Sequence, residues 1–111
     1  NESLTFNLKN LSFDNDDIYP EVEILNTVSG DFSIRNVTDN NKTMQFTNLE
    51  TNETVYTNTR RQEIISSTGL NRSSNNNFNF KWFRLTPNYY NNIVATGNGT
   101  VTFRFEFPMP I

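Results

Sequence analysis

Apolar and polar residues alternate with a period of two in short runs separated by turn residues. The clearest run closes the chain. Val101, Phe103, Phe105 and Phe107 fall on one side of an extended segment, with Thr102, Arg104 and Glu106 on the other. Side chains alternate faces along a strand, so the run predicts a strand with one buried and one wet face. Pro108 and Pro110 end it, because proline cannot donate to a ladder. Val101, Phe103, Phe105 and Phe107 are therefore assigned to the core. Similar alternation predicts strands at residues 4–8, at 22–24 behind Pro20, and at 32–35, 43–46, 53–57, 62–65 and 92–95. Leu11 and Phe13 extend the first strand after a bend.

Turn chemistry punctuates these runs. Ser29-Gly30-Asp31, Asp39-Asn40-Asn41, residues 48–52 and 58–61, and Thr86-Pro87-Asn88 all carry Gly, Pro, Asn or Asp where the chain must reverse. Residues 66–77 form a loop rich in Ser and Asn, with room for one short strand, and Phe78 and Phe80 lead into residues 82–85. Residues 32–57 are expected as a meander or a pair of hairpins. Residues 92–95 and the last strand are expected to pair across Gly97-Asn98-Gly99 as a closing hairpin. No window shows a helical period. About 8–10 short strands with regular turns predict an all-β, antiparallel β-sandwich or barrel, organised as one domain over residues 1–111.

Composition narrows the function classes. The 111 residues include ten Phe, four Tyr and one Trp, so a modest apolar fraction is concentrated in large side chains. Nine basic residues are scattered under a net charge of −3, which leaves no nucleic-acid footprint. There is no cysteine, hence no disulfide framework and no thiolate metal site. There is no histidine, which removes the commonest general base and the commonest metal ligand. No apolar run approaches a membrane span, and no membrane partner is expected. The chain begins at Asn1 without Met, and a processed product or a domain cut from a larger protein is expected.

Asparagine is over-used, with 20 residues. AT-rich codon usage accounts for such a bias, and a packed core gains nothing from it. The functional alternative is glycosylation. Asn1, Asn10, Asn36, Asn41, Asn52, Asn71 and Asn98 each open an Asn-x-Ser/Thr triplet, which is an acceptor only in a secretory pathway.

No catalytic set assembles, and no cofactor or metal is assigned. No serine has a histidine to activate it. Glu21 and Glu23 share one strand face about 7 Å apart, near the spacing of glycosidase carboxylates, yet they also suit a solvated outer face. Asp14, Asp16 and Asp17 form the one acidic cluster, without the glycine and distant glutamate of a calcium loop. The candidate binding residues are aromatic. Tyr56, Trp82, Tyr89 and Tyr90 offer flat rings with polar tips, suited to a protein or carbohydrate surface. Trp82 fits the core equally well, whereas Tyr89 and Tyr90 follow a proline turn and are expected to be exposed.

The order of elements resembles the C-terminal domain of the siphophage distal tail protein, the siphovirus-type tail component family. Five segments carry the likeness: Pro20-Glu-Val-Glu-Ile24, Gly30-Asp-Phe-Ser-Ile34, Leu49-Glu-Thr-Asn-Glu-Thr-Val-Tyr-Thr-Asn-Thr59, Phe80-Lys-Trp-Phe-Arg-Leu-Thr-Pro-Asn88, and Asn92 through Phe105. Asn52 and Asn88 stand where that family tends to carry Gly, and Asn tolerates left-handed backbone. The resemblance implies a galectin-like or jelly-roll-like sandwich at the tail tip, or baseplate, of a virion. It implies a non-enzymatic structural module that holds the host-recognition apparatus, with receptor-binding or tail-fibre proteins as partners. The parent protein would form a hexameric ring through an upstream domain. Galectin sugar sites rely on a histidine that this chain lacks, so sugar binding does not transfer. A carbohydrate-binding module that recognises a host surface glycan, or an extracellular surface glycoprotein domain, is the alternative.

Overall fold

The computed structural model describes residues 2–10, 16–74, 76–87 and 90–105. Eight strands are described: β1 (Glu2–Lys9), β2 (Glu21–Asn26), β3 (Gly30–Asn36), β4 (Lys42–Leu49), β5 (Glu53–Asn58), β6 (Glu63–Ser66), β7 (Tyr90–Gly97) and β8 (Gly99–Arg104). They form two antiparallel sheets, ordered β1-β7-β3-β4 and β6-β5-β2-β8. The sheets pack face to face as an all-β sandwich.

Alternation decides which side chains meet between the sheets. Ile34, Met44, Phe46 and Ile93 from one sheet lie buried with Val22, Ile24 and Val55 from the other. On β8, Val101 and Phe103 are half-buried against this core, as is Phe105 just beyond it; Phe107 lies outside the described residues. Phe103 touches the rings of Phe6 and Phe83, with centroids 5.9 and 5.4 Å away. On β1 only Phe6 and Leu8 pack inward, while Leu4 is 63% exposed. Leu11, Phe13 and Asp14 also lie outside the described residues.

Two expected hairpins do not form as such. β3 and β4 do pair around the Asp39-Asn40-Asn41 turn, where Asn40 and Asn41 take the left-handed backbone. Beyond Leu49, however, the chain crosses to the other sheet, so β5 pairs with β2 and β6 and no meander runs through residues 32–57. Asn52, at φ 60°, makes that crossing turn. Likewise β7 and β8 belong to different sheets. Gly97-Asn98-Gly99 is a crossover, not a hairpin turn. The reason is backbone space: Gly99 has φ 146°, and a Cβ there would sit 1.8 Å from the Leu25 carbonyl oxygen. Glycine lets β8 start flush against β2.

Residues 67–74 and 76–87 are irregular, and they cover one side of the sandwich. Phe78 bridges Phe46 on the free edge of β4, with the two rings stacked at 4.9 Å. Asparagine side chains complete that edge. Asn77 Nδ2 donates to the Thr47 carbonyl at 2.9 Å, and Asn79 Nδ2 to the Thr43 carbonyl at 2.7 Å. Asn79 Oδ1 accepts the Gln45 amide at 3.1 Å. The segment then returns inward at Phe83 and pairs with Ile18 through Leu85. Phe83 and Leu85 are thus buried, and Trp82 and Arg84 half-buried, without joining either sheet.

Buried asparagines fasten the return. Asn36 Nδ2 donates to the Arg84 carbonyl at 2.8 Å and to Asn91 Oδ1 at 3.0 Å. Asn91 Oδ1 also accepts the Thr86 amide and hydroxyl, both at 2.9 Å. Asn10 Nδ2 donates to the Thr86 carbonyl at 2.8 Å. The expectation that a core gains nothing from asparagine is corrected here: irregular buried backbone needs partners, and a short amide supplies both a donor and an acceptor.

Gly99→Ala is expected to cost about 2–4 kcal/mol through clash and backbone strain, read as a lower urea midpoint. Removal of residues 99–111 strips β8 from β2 and uncovers Phe6 and Phe83. Cooperative unfolding is expected to disappear; a truncated chain that still unfolds cooperatively contradicts the core assignment of this strand.

Candidate functional site

The ionic groups divide into internal clamps and an exposed face. Glu53 and Arg72 form the deepest clamp, at 1% and 6% exposure. Arg72 Nε donates to Glu53 Oε2 at 2.8 Å and Nη2 donates to Oε1 at 2.7 Å. The Glu50 backbone amide and the Ser66 hydroxyl donate to the same carboxylate at 2.8 and 2.5 Å. Burial alone would push the Glu53 carboxyl up, but these four donors together hold it below the usual carboxylate range. A second clamp lies at the other end of the irregular segment. Arg84 grips Asp39 with two hydrogen bonds of 2.9 and 3.0 Å and reaches Asp17 at 3.2 Å. These bonds raise the Arg84 guanidinium further above its ordinary value. Both arginines are spent on fixing the chain rather than on a substrate.

Asp17 is therefore tied to Arg84, and Asp16 is exposed. Among the described residues no group of three or more acidic, His or Cys side chains could hold a metal ion. Glu21 and Glu23 lie on the outer face of the β6-β5-β2-β8 sheet, one hydrogen-bonded by Tyr56 and the other paired with Arg104 at 3.7 Å.

The aromatic candidates occupy separate places. Tyr56 lies half-buried on that same outer face, and its hydroxyl donates to Glu21 Oε1 at 2.5 Å. The nearby carboxylate raises the phenol above its ordinary value, first through this hydrogen bond. Tyr90 is exposed on the outer face of the other sheet, with the Lys9 ammonium 5.6 Å from its ring centre. Trp82 is half-buried in the irregular segment, edge-on to Phe78 at 4.8 Å. Tyr89 and Asn88 lie outside the described residues. Tyr56 and Tyr90 are on opposite faces of the sandwich, so they share no groove.

The register defines the outer face of the β6-β5-β2-β8 sheet. Ile65, Tyr56, Glu23 and Thr102 lie side by side across four strands, as do Glu63, Asn58, Glu21 and Arg104. Leu25 sits one row further along. Ile65 and Leu25 are 61% and 39% exposed, so the face combines exposed apolar groups with three glutamates. The acidic Glu21 and Glu23 are legible in the sequence, but their apolar neighbours appear only when strands are put in register.

Phe80 is the other feature that alternation does not disclose. Asn79 ties down β4, and the next residue turns away with φ 56°, leaving the Phe80 ring about half exposed. Left-handed backbone at a bulky residue costs about 1–2 kcal/mol. Its ring meets Phe78 at 5.4 Å, and about half of its surface faces solvent. A cleft of about 360 Å³ lies between β1 and β8, lined by Leu4, Phe32, Ala95 and Val101 together with Glu2, Ser3 and Thr100. It gathers no pair of reactive groups.

Residues 1–105 match the family described as "Phage tail C-terminal domain". No curated protein and no solved structure matches the chain. The match and the two sheets together describe an all-β phage tail domain.

Arg72→Met is expected to leave Glu53 buried without its counter-charge and to cost about 3–5 kcal/mol in urea unfolding. The double variant Glu53→Gln/Arg72→Met recovers part of that loss. For pH the sign follows from the depressed carboxyl: its contribution is present above the unfolded-state value and is lost as pH falls through the folded one. Wild-type stability is expected to drop as pH falls below the ordinary carboxylate range, with a flatter profile for the double variant.

Proposed function

The chain belongs to the phage tail C-terminal domain family, and on that premise we propose that it is an attachment module of the tail tip. In this role it is the C-terminal part of a larger, ring-forming distal tail protein and gives the host-recognition apparatus a place to dock. The family match across nearly the whole chain carries the proposal. The rigid sandwich supports it, since its clamps fix an irregular segment into one defined surface without building a reactive site. Its partners are receptor-binding or tail-fibre proteins. The galectin-like variety of sandwich belongs to the same proposal.

A single sugar-stacking groove has less support, because Tyr56 and Tyr90 stand on opposite outer faces. A heavily glycosylated surface domain is also disfavoured at two acceptors. Asn10 and Asn36 are buried and use their amides inside the fold, so neither could carry a glycan there.

Gold-labelled antibody raised against this chain is expected to mark the distal end of the tail on intact phage particles. Label confined to the capsid or the tail shaft would overturn the tail-tip role.

A further inference from the structure

We propose that the seam between β1 and β8 accepts an extended segment of another tail protein, one that alternates apolar residues and carries Lys or Arg beside them. The segment adds as a strand to the outer edge of β1 and seats alternate side chains in the cleft between the sheets. This inference rests on the attachment role and gives that role a surface and a partner chemistry.

The sheet edges are covered unequally. The outer edge of β4 is closed by Asn77, Asn79 and the Phe78 bridge. β6 is an edge of only four residues. β1 presents eight, and among the described residues no segment pairs with its outer side. It holds no proline and no bulge, and its lysine, Lys9, stands at the end. An edge this long and regular is a template for an added strand.

Behind that edge the interior lacks a layer. Leu4 pairs with Ala95, whose side chain is buried, so Leu4 points inward; yet it is 63% exposed. The cause is space. At this level β7 supplies only Ala95 and Gly97, faced by Gly99 and Val101 of β8 across the cleft. A Cβ on Gly97 would lie 2.5 Å from the Phe32 ring, and Phe32 is itself buried, so the cleft has a fixed floor. A strand added to β1 turns every second side chain toward this space.

Charge selects a basic segment. At the end where the chain crosses between the sheets, Glu2 pairs with Gly97, Glu53 lies beside Asn26, and Asp31 precedes Phe32. Glu50 is tied there through its carbonyl to Asn26. Arg72 is the cation among these four carboxylates, and it is taken by Glu53 and Glu50. Glu2 and Asp31 form no ion pair among the described residues. The other described residues hold eight basic and six acidic groups, so the acidic excess sits at the cleft end. The cations of the seam strands, Lys9 and Arg104, stand at the far ends, roughly 23 and 16 Å along from Glu2 and Gly99 by strand rise. A Lys or Arg flanking the seated apolar residues therefore meets carboxylates that have no counter-charge of their own.

Leu4 and Glu2 are exposed, so each can be changed with little effect on folding. Circular dichroism and thermal unfolding of Leu4→Asp and Glu2→Lys verify this first. Peptides of about 12 residues, tiled across the structural proteins of the same virion, serve as the probe. Wild type is expected to bind a subset with alternating apolar residues and net positive charge, more weakly as salt rises. Leu4→Asp is expected to weaken that binding about tenfold or more, and Glu2→Lys about threefold or more. Bound peptide is expected to slow hydrogen exchange at β1 amides and leave β6 unchanged. The proposal is overturned if no peptide binds, if the bound peptides are acidic, if Leu4→Asp binds as wild type does, or if β1 gains no protection. Sedimentation velocity covers a further occupant: dimerisation of wild type that Leu4→Asp abolishes assigns the seam to a second copy and also overturns it. Intact tail proteins that bind wild type and Leu4→Asp equally refute the seam while attachment stands; if none binds either, attachment fails as well.

Discussion

Irregular backbone can be buried only if every amide and carbonyl finds a partner, and this requirement governs the domain. Residues 67–74 and 76–87 leave one sheet and run along the edge of the other, and Phe83 and Leu85 return to the core between them. Regular ladders cannot serve such a path. Asn77 and Asn79 stand in for the missing strand beside β4, and Asn36, Asn91 and Asn10 satisfy the return. The two arginine clamps then fix its ends, one under β5 and one beside the β3–β4 turn. Hydrophobic packing follows from this frame, since Phe78 and Phe83 reach the core only along a segment whose polar backbone is satisfied.

The architecture was largely legible from alternation. Strands appear near most of the expected runs, because a period of two with aromatic and β-branched residues admits few other solutions. The pairing was harder to read. β4 and β5 look like neighbours, as do β7 and β8, yet each pair is split between sheets. A turn sequence states that the chain bends but not whether it stays in one sheet. Gly99 carries the missing information through its contact with the Leu25 carbonyl, a relation across 74 positions that no local pattern contains.

Functional surfaces were less legible still. Tyr56, Trp82 and Tyr90 were apparent as aromatics, but their dispersal depends on sheet order. The apolar neighbours of Glu21 and Glu23 come from β6 and from the next row of β2, and only register brings them together. Asparagine misled in the opposite direction. Its abundance suggested codon bias or glycosylation, whereas several copies support left-handed turns or buried amide networks. Composition counts residues without showing which of them are buried.

The arrangement of the outermost strands has a mechanical consequence. β1 and β8 are the edge strands on one side of the sandwich, and Phe6 faces Phe103 across it. Both begin at the same end, where Glu2 pairs with Gly97 and Gly99 pairs with Asn26, and both run toward the other end. A pull applied at Glu2 and opposed at Phe105 therefore acts along the strands. The hydrogen bonds of β1 to β7 and of β8 to β2 are loaded together in shear instead of opening one after another. For a domain in a phage tail, this geometry turns two modest edge strands into parallel load-bearing seams.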